Sequence, residues 1–242
     1  MNFRVFGCGI ALLFGSGCGA MNTARPLKEG QHAVGLVLGG AVLEQSVSAT
    51  EENPEGGTMR LPLPIAIIEG RHGLKAIKGR ALDVQYGLNL TGLAFEHIGL
   101  QGGVSYLIME QDGYKPAWSV NNRLYFYNNW FSGHRTEESQ GWWMADQIET
   151  TISWQIRGQM IYMGIAQTID FKKPSLLLSP FGGMELIRSG NDPGFGLQLE
   201  LRYYGINRNS DIAVVRWYEP LNVGAFGMVL GMNYRFGAKG EE

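Results

Sequence analysis

The side chains that could perform metal or acid–base chemistry are few and widely separated in this sequence. The chain has four histidines, and they are His32, His72, His97 and His134. They lie on different segments without the short spacing that zinc ligands use. The sequence therefore predicts no metal site and no cofactor.

Serine and histidine also fail to form a convincing nucleophilic pair. His97 and Ser105 share one face of a predicted strand, but the intervening strand residues separate them by roughly 26 Å. His134 and Ser132 are close in sequence, yet both lie in a predicted loop with no acid positioned to orient the histidine. The sequence therefore predicts a protein that is not an enzyme, with an enzyme that modifies membrane lipids as the second alternative.

A different set of ionisable residues shows a regular pattern. Each member occupies a polar position in a run where polar and apolar residues alternate. All members are therefore expected on the polar face of a sheet. The set is Asp83, Arg123, Glu149, Glu185, Glu200, Arg202 and Arg235. If that face is enclosed, the opposite charges are expected to pair across it, because buried charges need partners.

Predicted β-strands must position these residues. In "LDVQYGLNL" (82–90), apolar residues such as Leu82 and Val84 alternate with Asp83 and Gln85, as in a strand with one apolar and one polar face. Similar alternation predicts ten strands, at 31–41, 60–69, 81–93, 97–109, 116–127, 146–156, 159–169, 175–187, 194–204 and 222–236. Because three of these patterns are weak, the count lies between eight and twelve.

Two local features complete this prediction. Pro62 and Pro64 lack an N–H on the same side, so that end of the second strand is expected to project, with full pairing from Ile65. The segment 138–149 is expected to form a short helix in a loop.

Strand length and loop placement favour a membrane barrel. Several runs alternate over ten or more residues, as a tilted membrane-spanning strand requires. With ten antiparallel strands, the long connections 42–59, 128–145 and 205–221 all lie on one side, and short turns on the other. The sequence therefore predicts an all-β, up-and-down antiparallel transmembrane β-barrel over 31–236, in which Val84→Arg is less tolerated than Gln85→Arg.

Aromatic residues are predicted to collect at the two rims, as in the girdles of membrane barrels. The outer rim would carry Phe95, Tyr127, Trp130, Trp142, Trp143, Phe171, Tyr204, Trp217 and Tyr218. The periplasmic rim would carry Tyr106, Trp118, Tyr234 and Phe236.

The N-terminus has the features of an export signal. A short apolar run (5–17) follows Arg4, and "GSGC" (15–18) resembles a bacterial lipobox, although Gly15 stands where leucine is usual. Residues 1–18 are thus predicted to be a signal peptide with Cys18 as the lipid attachment site. The alternative is ordinary signal cleavage near Gly19. Residues 19–30 would form a periplasmic leader and 237–242 a C-terminal tail.

Three stretches carry a family resemblance: "ARPLKEGQHAVGLVLGG" (24–40), "YGLNLTGLAF" (86–95) and the final strand ending "NYRF" (233–236). They resemble uncharacterised outer-membrane β-barrel proteins of Gram-negative bacteria, some of them lipoproteins. The resemblance implies a barrel in the outer membrane, in contact with its lipids. It implies no activity.

The expected function follows from the polar face. A ten-stranded barrel is narrow, so the inward charges would either plug the lumen or leave a porin-like path for a small polar solute. The acidic loop 42–59 would be a mobile surface loop open to a partner, and 70–80, which includes Arg71, would meet lipid headgroups or solvent. The net charge of −2 gives no basic bias toward nucleic acid. The main alternative is a lipid-anchored soluble sandwich or lipocalin-like protein, with its apolar face inward around an apolar ligand.

Overall fold

The computed structural model describes residues 24–47, 57–62, 65–94, 98–128, 142–171, 175–187, 194–207, 220–221 and 223–237. Its strands are β1 (Gln31–Val47), β2 (Gly57–Pro62), β3 (Ile65–Ile77), β4 (Arg80–Asn89), β5 (Ile98–Met109), β6 (Ala117–Asn128), β7 (Trp142–Ile156), β8 (Gln159–Asp170), β9 (Leu176–Ile187), β10 (Gly194–Tyr204) and β11 (Ala225–Gly237). A single helix in these ranges, α1, spans Leu90–Ala94. None of the described helices is long and apolar enough to cross a membrane.

The strands close into an antiparallel barrel in which each barrel strand pairs with its neighbours in the chain. β1 pairs with β11 from Gln31↔Gly237 to Ala41↔Gly227, and this seam joins the two ends of the sheet. Counting β2 and β3 as two parts of one interrupted strand, the barrel has ten strands. The predicted up-and-down architecture and strand number are therefore confirmed.

The first hairpin projects beyond the barrel wall. β2 pairs with the end of β1, from Val42↔Pro62 to Val47↔Gly57, whereas β3 starts at Ile65 and pairs on both sides. The projection at the prolines thus agrees with the prediction. The prediction of a surface loop over 42–59 is wrong at both ends, because β1 and β2 are paired there. Residues 48–56 lie outside the described ranges.

Tight turns connect the strands at the opposite end, which we call the short-turn end. Lys78 and Gly79 have φ angles of 51° and 73°, and Arg157 and Gly158 have 48° and 79°. Two successive positive φ angles are typical of the type I′ turn, whose twist suits a hairpin.

Two sequence predictions of local structure are wrong. The strand predicted over 81–93 ends at Asn89, whose side-chain oxygen accepts a hydrogen bond of 2.9 Å from the Gly92 N–H and so caps α1. The helix predicted over 138–149 is replaced from Trp142 onward by β7, because its side chains join the alternation of that strand. Residues 138–141 lie outside the described part of the chain.

The barrel carries its apolar side chains outward and its polar side chains inward. Tyr86 is 50% exposed and Leu230 is 48% exposed on the outer face, whereas Asn121, Glu149 and Thr151 are fully buried inside. A lipocalin-like protein would have the opposite distribution. The structure therefore contradicts the soluble alternative with an apolar interior, and the distribution is that of a transmembrane β-barrel.

Candidate functional site in the barrel interior

The interior contains an ion-pair cluster centred on Arg202 of β10. Arg202 Nη2 lies 2.9 Å from Glu149 Oε1, and Arg202 Nε lies 2.9 Å from Glu200 Oε1. On the other side, Arg123 Nη1 lies 3.9 Å from Glu149 Oε2. The Tyr162 hydroxyl donates a hydrogen bond of 3.2 Å to Glu200. One guanidinium thus neutralises carboxylates from two different strands.

Aromatic and small residues make room for this cluster. The Arg202 guanidinium carbon lies 4.7 Å from the centre of the Phe181 ring, within the range of a cation–π contact. A Cβ atom at Gly183 would stand 2.5 Å from the Tyr162 hydroxyl. Glycine at such inward positions lets large side chains cross the narrow lumen, which explains part of the high glycine content.

A hydrogen-bonded belt runs from Arg123 around the wall. Arg123 Nη2 donates to Gln85 Oε1 at 2.9 Å. The Tyr125 hydroxyl donates to Gln147 Oε1 at 2.7 Å, and Gln147 Nε2 donates to Thr168 Oγ1 at 2.9 Å. The belt therefore links β4, β6, β7 and β8 through their inward side chains.

Two further ion pairs lie nearer the short-turn end. Arg71 of β3 pairs with Asp83, and Arg235 pairs with Glu185, which also accepts a hydrogen bond of 3.0 Å from Asn233. All seven charged residues that the sequence singled out thus have their side chains in the interior.

Arg71 was misassigned by the sequence analysis. It was expected in a connection that faces lipid headgroups or solvent, but β3 continues past it and buries it to 2% exposure. The available signal was parity, because Ile67, Glu69 and Arg71 continue one inward-facing series along β3.

The segment 24–30, which we call the N-terminal strap, fills the mouth at the short-turn end. The Leu27 N–H donates a hydrogen bond of 2.7 Å to Asp83 Oδ2. The Ala24 carbonyl accepts hydrogen bonds of 3.2 Å from Ser119 and 3.3 Å from Ser153. Ala24 and Leu27 are 1% and 3% exposed, so the strap is seated within the barrel.

Side-chain contacts and one glycine complete the seat of the strap. Arg25 donates a hydrogen bond of 3.0 Å to Gln155 and another to Gln111. Desolvation lowers the pKa of Arg25, and the nearby Glu110 partly offsets this. A Cβ at Gly73 would collide with the Lys28 carbonyl, so the close approach of the strap requires glycine there. Sequence reasoning missed this role, because a short polar leader has no periodicity; residues 19–23 and Cys18 lie outside the described ranges.

The predicted aromatic girdles divide into two groups. Trp142, Trp118, Tyr234 and Phe236 are exposed on the outer surface, at 54%, 39%, 47% and 38%. Trp143 is half-buried, with its ring centre 5.3 Å from that of Tyr127. Its assignment to the girdle was wrong.

Tyr127 and Tyr204 are likewise buried, at 6% and 5% exposure, and so were also wrongly assigned to the rim. Their strand parity is inward, and this outweighs their position near a strand end. Trp130, Trp217 and Tyr218 lie outside the described residues.

Two histidines meet on the outer face, although the sequence separates them. His32 and His72 are cross-strand partners with their Nδ1 atoms 2.5 Å apart, and His72 Nε2 lies 2.7 Å from the Tyr86 hydroxyl. The described residues contain no group of three or more potential metal ligands. Ser105 hydrogen-bonds to Asn121 inside the barrel, while His97, His134 and Ser132 fall outside the described ranges.

Comparison with known proteins identifies no family for this chain. No family model matches the chain, and no curated protein matches it. Among solved structures, it is similar to Ail, the attachment invasion locus protein of Yersinia pestis, with 8% identity and a TM-score of 0.25 over 86% of this chain and 99% of that one. A second structure, of Ail with the heparin analogue sucrose octasulfate, gives 9% identity and a TM-score of 0.28 over the same shares. This distant likeness carries no argument about activity.

Proposed function

We propose that this chain is an outer-membrane barrel of a Gram-negative bacterium with a closed lumen, and that its role is structural or binding rather than conducting or catalytic. The observation that carries the proposal is the Arg123–Glu149–Arg202–Glu200 cluster, which spans the interior at full burial. A ten-stranded barrel leaves little room once such side chains cross it.

The N-terminal strap supports the same proposal at the short-turn end. Its backbone occupies the mouth and is bonded to side chains of β4, β6 and β7. A solute that entered from this side would have to displace the strap before reaching the ion-pair cluster. Two independent obstacles therefore lie in series along the lumen.

Conductance in planar lipid bilayers tests this proposal. The full chain should insert without discrete current steps. In a variant with Arg123, Glu149 and Arg202 all replaced by serine, the ion-pair cluster no longer blocks the lumen. This variant should conduct ions whenever the N-terminal strap moves out of the mouth. Heat-modifiable gel mobility of both proteins would verify that each barrel is folded. Discrete, reproducible steps from the unaltered, folded chain would refute the closed lumen and favour a narrow transport path.

A second candidate function, partner binding at the cell surface, is favoured by the projecting hairpin. β2 and the end of β1 extend six paired residues past the point where β3 begins. At about 3.3 Å per residue this hairpin reaches roughly 20 Å, and a Glu44–Arg60 ion pair of 3.1 Å braces it. Removing residues 43–61 should abolish adhesion to an added cell or matrix surface while leaving the heat-modifiable barrel intact. Unchanged adhesion would exclude the hairpin as the binding element.

A further inference from the structure

Besides the His32–His72 pair described above, the outer face of the described barrel carries a polar patch on the adjacent strands β6, β7 and β8. Its members are Asn122, Asp146, Thr150 and Gln167, all with outward parity. Among the described strands, the other outward polar side chains are the His32–His72 pair with Tyr86, which bond to one another, and residues at a strand terminus or in the projecting hairpin. The remaining outward positions are apolar or glycine, so the clustering on three neighbouring strands distinguishes this patch.

Cross-strand register places the members of the patch side by side. Ile148 of β7 stands opposite Asn122 on one side and Gln167 on the other. The Asn122 side-chain amide donates a hydrogen bond of 2.8 Å to Asp146 Oδ1. Among the described residues, the Gln167 side chain and the second oxygen of Asp146 make no hydrogen bond.

The patch lies within the membrane span. Asn122 is four residues from Trp118, which marks the short-turn rim, and six residues from the outer end of β6. At about 3.3 Å per residue and the usual strand tilt, this is about 10 Å into the membrane. Hydrocarbon offers no hydrogen bonds, so a carboxylate and an unpaired amide on this face are costly when they are exposed to lipid.

We propose that this patch is a contact surface with a second copy of the same chain inside the membrane. A twofold axis along the membrane normal, between β7 and β8, sets Asp146 opposite the partner's Gln167. The amide then donates to the carboxylate oxygen that Asn122 leaves open, and symmetry forms the same bond twice. Lipid headgroups fit less well, because Asp146 repels anionic groups and lies below their level.

Gln167→Leu is the sharpest test, since the Gln167 side chain has no hydrogen bond to the described part of its own chain to lose. The matched control is Gln159→Leu, the same change on the outward face of β8 at its short-turn terminus. Self-association of the full chain would be measured by fluorescence energy transfer in lipid vesicles over a wide range of protein-to-lipid ratios. Gln167→Leu should weaken association about tenfold, as expected for two membrane hydrogen bonds of ordinary strength. Gln159→Leu should leave it unchanged.

Disulfide cross-linking provides an independent test of the proposed dimer contact. In a chain with Cys8 and Cys18 replaced by serine, Thr150→Cys should form a cross-linked dimer in vesicles, whereas Leu199→Cys on β10 should not. A monomer at every protein-to-lipid ratio would overturn the proposal. Association that Gln167→Leu leaves intact, or cross-linking at position 199 alone, would overturn it as well. A conducting lumen would refute the closed barrel without affecting this contact.

Discussion

Removing the positive charge of Arg202 at the centre of the barrel should strongly destabilise the barrel. Arg202→Met keeps a long side chain but deletes the guanidinium that lies 2.9 Å from both Glu149 and Glu200. Both carboxylates lose this guanidinium. Glu149 keeps Arg123 Nη1 at 3.9 Å, and Glu200 keeps the hydrogen bond of 3.2 Å from the Tyr162 hydroxyl.

The magnitude follows from the burial of these ion pairs. Removing one partner of a buried ion pair typically costs about 3–5 kcal/mol. The free energy of unfolding should therefore fall by about that amount in Arg202→Met. Glu200→Gln should cost less, since Arg202 still pairs with Glu149 and a neutral amide is cheaper to bury than an unpaired carboxylate.

A combined variant separates charge from shape. Arg202→Met with Glu149→Gln and Glu200→Gln removes both carboxylate charges together with the guanidinium and should recover much of the stability lost in the single variant. Urea unfolding of the barrel in lipid vesicles, followed by tryptophan fluorescence and gel mobility, measures all of these differences. If Arg202→Met were as stable as the unaltered chain, the cluster would not be the buried, mutually dependent unit described above.

Two further predictions concern the wall and the strap. Val84→Arg should lower the free energy of unfolding in vesicles by up to about 2–4 kcal/mol, because it places a charge on the lipid-facing side of β4. Gln85→Arg should also destabilise the barrel, because Gln85 accepts a hydrogen bond from Arg123. Equal stability of either variant with the unaltered chain would contradict this packing. Gly73→Val should displace the strap, because a side chain there would collide with the Lys28 carbonyl, and should therefore speed tryptic cleavage after Lys28, detected by mass spectrometry. The control Ala76→Val on the same strand should leave the cleavage rate unchanged. Equal cleavage rates in the two variants would contradict the position of the strap.

The strands were largely predictable because alternation is a local signal. β10, for example, spans Gly194–Tyr204 as its pattern of apolar and polar residues required. Long β3 was harder to predict, since two prolines interrupt its approach and its inward residues Glu69 and Arg71 resemble a hydrophilic connection. Parity along the strand was the better guide there than mean polarity.

The interior contacts could be predicted by face but not by partner. Alternation assigns Arg202 and Glu149 to one side of the sheet, yet they are separated by 53 residues in the chain. Their meeting depends on barrel closure and on how the strands are staggered, which no local pattern encodes. The position of the strap could not be predicted for the same reason, because its partners Asp83, Ser119 and Ser153 come from three different strands.

The seat of the strap also bears on how the seam of the barrel is aligned. The strap leads directly into β1 through Gly30, whose φ of 75° turns the chain, and Gln31 then pairs with Gly237 at the first step of the seam. Bonds from β4, β6 and β7 to the strap therefore fix where β1 starts relative to the wall. A slip of one residue between β1 and β11 would reverse the faces of every β1 side chain. The strap thus helps to set the register in which β1 pairs with β11.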